Sequence, residues 1–239
     1  MGASFQGFPK EGLQFLRELE LNNEREWFDA HKGVYTDVVK PAVEAMVASI
    51  GAGMMKFAPA YVTEPKKAIY RIYRDTRFSH NKTPYKTNVG ALFFRADLGK
   101  NEASAFYVEI SHKHVGIAGG CYMPDAERLR LIRGHIGEHY GRFAKMLQGK
   151  ALVASMGELQ GDRLSRPPKG FPAEHPGIEV LKGKQWYYWR ELAPEMAMSA
   201  SVVKEVVERF RVMLPVVEFL NEPLAAARKM RAPLETGWV

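Results

Sequence analysis

A single cysteine, Cys121, occurs in 239 residues. An internal disulfide is therefore excluded, and with it the small secreted scaffolds that depend on such bridges. No apolar run is both long and uncharged enough to be a membrane-crossing helix or the core of a secretory leader. The chain opens Met1-Gly2, but Gln6 stands where a myristoylation signal has Ser or Thr. These absences lead to the expectation of a cytosolic protein with no membrane partner. Also missing are a phosphate-binding Walker loop, a dinucleotide fingerprint, a G-x-S-x-G nucleophile elbow, internal repeats and low-complexity tracts. No cofactor is expected.

What is present is enough apolar residue, 46% of the chain, to bury a full core as one domain. The net charge of +7 is unevenly placed. Residues 1–63 carry six Lys or Arg against eight acids, residues 64–100 nine against three, and residues 101–239 nineteen against sixteen. Most of the excess is thus local. A cluster of this kind is either a solvated face, an anion site or a nucleic-acid patch.

The periodicity divides the chain into helical ends and a β middle. Phe8-Pro9-Lys10-Glu11 opens an amphipathic helix with Leu13, Leu16 and Leu19 on one face, ending near Asn22-Asn23. Asn23 is placed to cap a second helix with Glu26 three positions on, and that helix carries an aromatic core face of Trp27, Phe28, His31 and Tyr35. Pro41 starts or kinks a further helix bearing Val43, Met46, Val47 and Ile50, stopped by Gly51 and Gly53. From about residue 60 the texture changes. Ala68 to Arg74, Val89 to Arg95, Ala105 to Ile110 and Val115 to Ala118 read as an antiparallel meander ended by Gly119-Gly120. Pro124 to about Leu147 returns to helix, with Leu129, Ile132, Ile136 and Phe143 inward. A stiff, Pro-rich and cationic loop covers 161–177 and could rim a site built elsewhere. Trp186 to Trp189 suits a strand, and Ser199 to Leu220 a closing helix kinked near Pro215. The expected architecture is a single α+β domain, an antiparallel sheet over about 60–120 packed by N-terminal and C-terminal helices.

The chemistry concentrates between Arg71 and Asn88, R-I-Y-R-D-T-R-F-S-H-N-K-T-P-Y-K-T-N. Arg71, Arg74, Arg77, Lys82 and Lys86 surround one acid, Asp75. Several guanidinium forks beside one carboxylate suggest one pair that fixes geometry, with the others left for an anion. Read as a strand, Ala68 to Asp75 puts Arg71, Tyr73 and Asp75 on one face and Ile72 and Arg74 on the other, so the arginines serve two purposes. The competing reading is a brace, in which Asp75 and the arginines hold a strand-to-loop turn fixed by Pro84.

Two histidine patterns and the cysteine invite other chemistry. His135-Ile136-Gly137-Glu138-His139 matches H-x-x-E-H, but Gly137 weakens the helix that a zinc site needs and no third ligand is spaced to complete it. No bound metal is expected there. His112 and His114 flank Lys113 at a hairpin turn, where imidazoles point to water. Cys121 has no partner placed to activate it.

The pattern Arg71-x-x-Arg74-Asp75-x-Arg77-Phe78-x-x-x-Lys82-x-Pro84-Tyr85 resembles the signature of the domain of unknown function 2461 family, mostly bacterial and fungal proteins of about this length. Asn22-Asn23 with Trp27-Phe28 and Tyr35, Gly119-Gly120 with Tyr122 and Pro124, and Pro168-Lys169-Gly170-Phe171 are similar to that family's pattern in the same order. Cys121 stands where a third glycine is typical. The resemblance implies one α+β domain distinguished by the basic motif, and no reaction. Two functions follow from the residues. One is binding of, or action on, a small anionic ligand such as a phosphorylated metabolite, through Arg71, Arg74, Asp75, Arg77, Lys82, Tyr85 and Lys86, with Tyr85 or His80 nearest for proton transfer. The alternative is nucleic-acid binding through the same patch, with Phe78, Tyr85 and Trp186 stacking on bases.

Overall fold

A computed structural model describes residues 5–77 and 79–231. It has one antiparallel sheet in the order β1-β2-β3-β4, formed by β1 (Asn88–Phe93), β2 (Ala105–Ser111), β3 (Val115–Cys121) and β4 (Trp186–Leu192). The fourth strand comes from far outside the 60–120 region, so the middle helices lie between β3 and the strand that completes the sheet. Period-two alternation gives it two distinct faces. Val89, Ala91 and Phe93, with Phe106, Val108 and Ile110, and Val115 and Ile117, are buried together on the first.

The long helix α9 (Ser201–Arg231) lies on that face, chiefly against β3. Gly119 faces it; an added Cβ would sit 2.8 Å from Met213 Sδ, so this glycine permits the close approach. Gly120 is needed for a different reason, its φ of +133°. Both glycines therefore lie inside β3 rather than ending the sheet. Asn221, fully buried in α9, ties the helix to the start of β2 by donating to Ser104 O and Tyr61 Oη at 2.9 Å each and accepting from Ser104 N at 2.8 Å.

The N-terminal helices cover the flank. α1 (Lys10–Leu21) buries Phe15, Leu16 and Leu19, as its spacing requires. Helix α2 (Arg25–Val34), a π-helical turn (Tyr35–Val39) and α3 (Lys40–Met54) follow one another without a break. Pro41 lacks an N–H and disrupts the ordinary α ladder; here it directly follows the π turn, a usual place for such a defect to be absorbed. Gly51 and Gly53 do not stop α3. Gly53 instead lets α9 approach, since a Cβ there would lie 2.7 Å from Val207 Cγ2.

Several other expectations are corrected. Asn23 does not cap α2, whose N-cap is Glu24 without a side-chain bond. The segment 69–74 is not a strand: α4 (Pro65–Ala68) precedes it, and only isolated bridges, Ile69 to Ala91 and Tyr73 to Tyr85, connect it to other segments. The 124–147 region breaks at His139 into α5 (Ala126–Glu138), capped by Asp125, and α6 (Tyr140–Leu147). It is followed by α7 (Lys150–Met156), the irregular Pro-rich segment and the short α8 (Ile178–Leu181). Within that segment Phe171 packs over Gly137, which accounts for a glycine in α5. No helix among the described residues is long and apolar enough to cross a membrane.

Candidate functional site: a braced basic loop beside a sheet-face groove

The basic segment folds as a short arm. Arg74 N donates to Pro84 O and Lys86 N to Ile72 O, both at 2.8 Å, which pairs 72–74 with 84–86 and leaves 75–83 as the connecting loop. Asn23 fixes the base of this arm by a two-point amide clamp: its Oδ1 accepts from Tyr85 N and its Nδ2 donates to Tyr85 O, each at 3.0 Å. Tyr85 is 4% exposed, stacked on Phe28 at a centroid distance of 4.1 Å and in contact with Tyr73.

Much of the predicted cationic set is occupied within the arm. Arg77 makes the bidentate pair with Asp75, Nε to Oδ1 at 3.0 Å and Nη2 to Oδ2 at 2.8 Å, and these bonds hold the Asp75 carboxyl down to about 2. Arg74 donates through Nη1 to Thr83 Oγ1. Lys82 Nζ donates to Thr76 O at 2.9 Å. Arg71 is exposed, and its guanidinium makes no hydrogen bond or ion pair among the described residues. His80 is also exposed. Phe78 lies outside the described residues. Trp186 is a core residue, 1% exposed, donating from Nε1 to Val180 O; neither it nor Tyr85 offers an open face for a base.

Lys86 behaves differently. Its Nζ donates to Arg71 O at 3.0 Å and lies 5.0 Å from the centre of the Tyr70 ring, over which Lys100 Nζ also sits at 4.4 Å. Burial first, then the charges of Arg71 and Lys100, pushes Lys86 below the ordinary lysine value. Burial lowers Lys100 as well. Three cations thus meet at one place, and neither ammonium has a carboxylate within ion-pair distance among the described residues.

Lys100 Nζ is also held by Lys67 O at 2.6 Å and Ala68 O at 3.3 Å, whereas Lys86, with Tyr70, lines one end of a groove of about 640 Å³ over the second face of the sheet. Its polar and aromatic lining includes Tyr70, Lys86, Asn88, Tyr107, Tyr187 and Trp189, with Ala105, Ala118 and Gly120 forming a low floor. Glycines on this face accommodate rings: Tyr107 lies across Gly90, and Trp189 across Gly116. From β1 to β4 the groove spans three strand spacings, roughly 14 Å. A smaller recess of about 220 Å³ beside α7 and α8 gathers fewer polar groups.

Next to the groove, on the same sheet face, is a carboxylate that the sequence reading missed. Glu109 is 9% exposed; its Oε2 accepts from Tyr107 Oη at 2.7 Å and from Asn88 Nδ2, and its Oε1 faces His114 Nε2 at 2.9 Å. Deep burial next to Glu109 raises the Tyr107 phenol far above its ordinary value. His114 is therefore not a solvent-directed turn residue, and neither is His112, whose Nε2 lies 3.1 Å from Glu20. The available signal was Glu109 in mid-strand with glycines, Gly90 and Gly116, at the facing position on both neighbouring strands, which leaves room there for a carboxylate and for the Tyr107 ring beside it.

The other candidates are engaged structurally. His135 Nε2 is 2.9 Å from Glu222 Oε2, and Glu222 is also held by Arg142. Cys121 is buried, and desolvation pushes its thiol up to about 12, so it is a poor nucleophile. No group of three or more His, Cys, Asp or Glu side chains among the described residues could hold a metal.

Fold and groove together define a class: a one-sheet α+β domain with helices on one sheet face and a polar, aromatic groove on the other. The chain belongs to the family described as conserved hypothetical protein (DUF2461), which matches residues 11–219. No curated protein and no solved structure matches it.

Proposed function

We propose that the protein binds a small anionic ligand, such as a phosphorylated metabolite, in the sheet-face groove, with the acidic group at the Lys86 end. The observation that carries this reading is Lys86 lining one end of a groove of ligand size, with the positive charges of Arg71 and Lys100 close by and no carboxylate within ion-pair distance of it among the described residues. Asp75, Arg74, Arg77, Lys82 and Tyr85 contribute by holding the arm that presents Lys86, and the exposed guanidiniums add to the local positive field. The motif thus combines brace and site.

The test is titration with phenyl phosphate, inorganic phosphate and a short single-stranded oligonucleotide, for wild type, Lys86→Gln and Arg77→Lys. Phenyl phosphate is expected to bind wild type and to lose about 1–3 kcal/mol in Lys86→Gln, with the melting temperature of the free protein little changed. Arg77→Lys loosens the arm and produces a smaller loss. Absence of anion binding to wild type, or equal binding by Lys86→Gln, overturns the proposal. Oligonucleotide binding that falls steeply with salt and is insensitive to Lys86→Gln would favour a nucleic-acid surface instead.

A further inference from the structure

The anionic end leaves open what the rest of the groove selects, and the proton inventory beside it answers that question. Glu109 sits in mid-strand, nearly buried, and is not paired with a lysine or arginine. Its oxygens are satisfied by donors alone: Tyr107, Asn88 and His114. An ionised carboxylate only accepts, so the direction of each bond is fixed by chemistry. Tyr107 has one hydroxyl proton, and it is committed to Glu109. Asn88 must turn its amide nitrogen to Glu109, which leaves its amide oxygen available. His114 must carry its proton on Nε2.

Two other donors are committed in the same way. Trp189 Nε1 donates to Glu191 Oε1 at 3.0 Å, and Tyr70 Oη donates to Asn101 Oδ1. On the β1–β2 side, the groove therefore offers the lone pairs of Tyr107 Oη, Tyr70 Oη and Asn88 Oδ1, while the donors there, the Lys86 ammonium and the amide nitrogen of Asn101, both lie beside Tyr70 at the Lys86 end. A ligand bearing negative charge along its whole length would meet acceptors beyond the Lys86 end, with the Glu109 charge behind Tyr107 and Asn88. A ligand with one acidic end and N–H or O–H donors beyond it matches the pattern. The floor of Ala105, Ala118 and Gly120, walled by Tyr107 on one side and Tyr187 and Trp189 on the other, suits a flat body.

Building on the anion reading above, we infer that the groove takes a planar ring carrying N–H or O–H donors joined to a single acidic group, with Glu109 setting the polarity through Tyr107 and Asn88. Glu109 is a positioning residue in this scheme, since its own oxygens are already occupied.

A matched pair of probes tests this: guanosine 5′-monophosphate, whose ring carries N–H and amino donors, and purine riboside 5′-monophosphate, which keeps the ring, sugar and phosphate but lacks them. Wild type is expected to prefer the guanine compound by about tenfold. In Glu109→Gln the new amide can donate to Tyr107, which frees the phenolic proton to point into the groove, so the preference should fall to about twofold or less. Tyr107→Phe keeps the ring, removes the acceptor and should reduce the preference likewise if Glu109→Gln folds poorly. Lys86→Gln should weaken both probes alike. Equal affinity of the two probes for wild type, with both still dependent on Lys86, overturns the donor inference and leaves anion binding standing. Failure of wild type to bind either nucleotide or phenyl phosphate removes both. A preference unchanged in Glu109→Gln and Tyr107→Phe shows that it arises elsewhere and also overturns the inference.

Discussion

Asn23 links the aromatic helix to the basic arm through two hydrogen bonds to the backbone of one residue, Tyr85. Asn23→Ala is expected to cost about 1–3 kcal/mol in denaturant unfolding and to speed amide exchange at Tyr85. A change within about 0.5 kcal/mol, the range of ordinary surface substitutions, would show that the stacking on Phe28 holds the arm by itself. Lys86 yields a prediction in pH. Because its value lies below 10.5 in the folded protein, the folded chain releases this proton at a pH where the unfolded chain still holds it. An anion bound to the ammonium opposes that release. Affinity for phenyl phosphate, a dianion at alkaline pH, should therefore fall as pH rises toward 10.5, starting below the ordinary lysine value. Lys86→Arg stays protonated and should flatten the profile except for the share due to Lys100. A wild-type affinity that does not change with pH would remove Lys86 from the site.

Among the elements, α9 carries the heaviest structural load, and it contains two prolines, Pro215 and Pro223. Pro215 is exposed and lies between buried Met213 and Val216. It removes one helix hydrogen bond and crowds the preceding turn without contributing to the core. Pro215→Ala is expected to stabilise the protein by about 1–3 kcal/mol, read as a higher melting temperature; a lower one would show that α9 needs the proline to fit the sheet. The helices with clear apolar spacing, α1 and the 201–220 part of α9, were legible from sequence because one helix face decides them. The 69–74 segment was not. Its β-branched and aromatic composition suits a strand, but it finds only two isolated bridges, and its outward residues serve the arm instead. Glycines at 51, 53, 119 and 120 looked like stops for the same reason: a missing side chain reads as a break until the element that packs against it is known.

For the whole molecule, one continuous apolar core runs from Phe5 through the sheet to Leu224 and joins both ends of the chain. Thermal unfolding is accordingly expected to be a single cooperative transition, with calorimetric and van't Hoff enthalpies in agreement. Two resolved transitions would mean that the N-terminal helices form a separate folding unit. The sequence by itself determined the fold class, the antiparallel pairing of the middle strands and the concentration of positive charge between 64 and 100, because alternation, helical spacing and composition are properties of neighbours along the chain. Only the tertiary structure decided which cation faces a groove, brought β4 from residues 186–192 to complete the sheet, and brought Asn88 to Glu109. The physical reason is that these are pairings between distant segments. Arg77 and Lys86 are equally basic as letters; one lies beside Asp75, and the other is placed by Asn23, Ile72 and the edge of β1 at the end of the open sheet face.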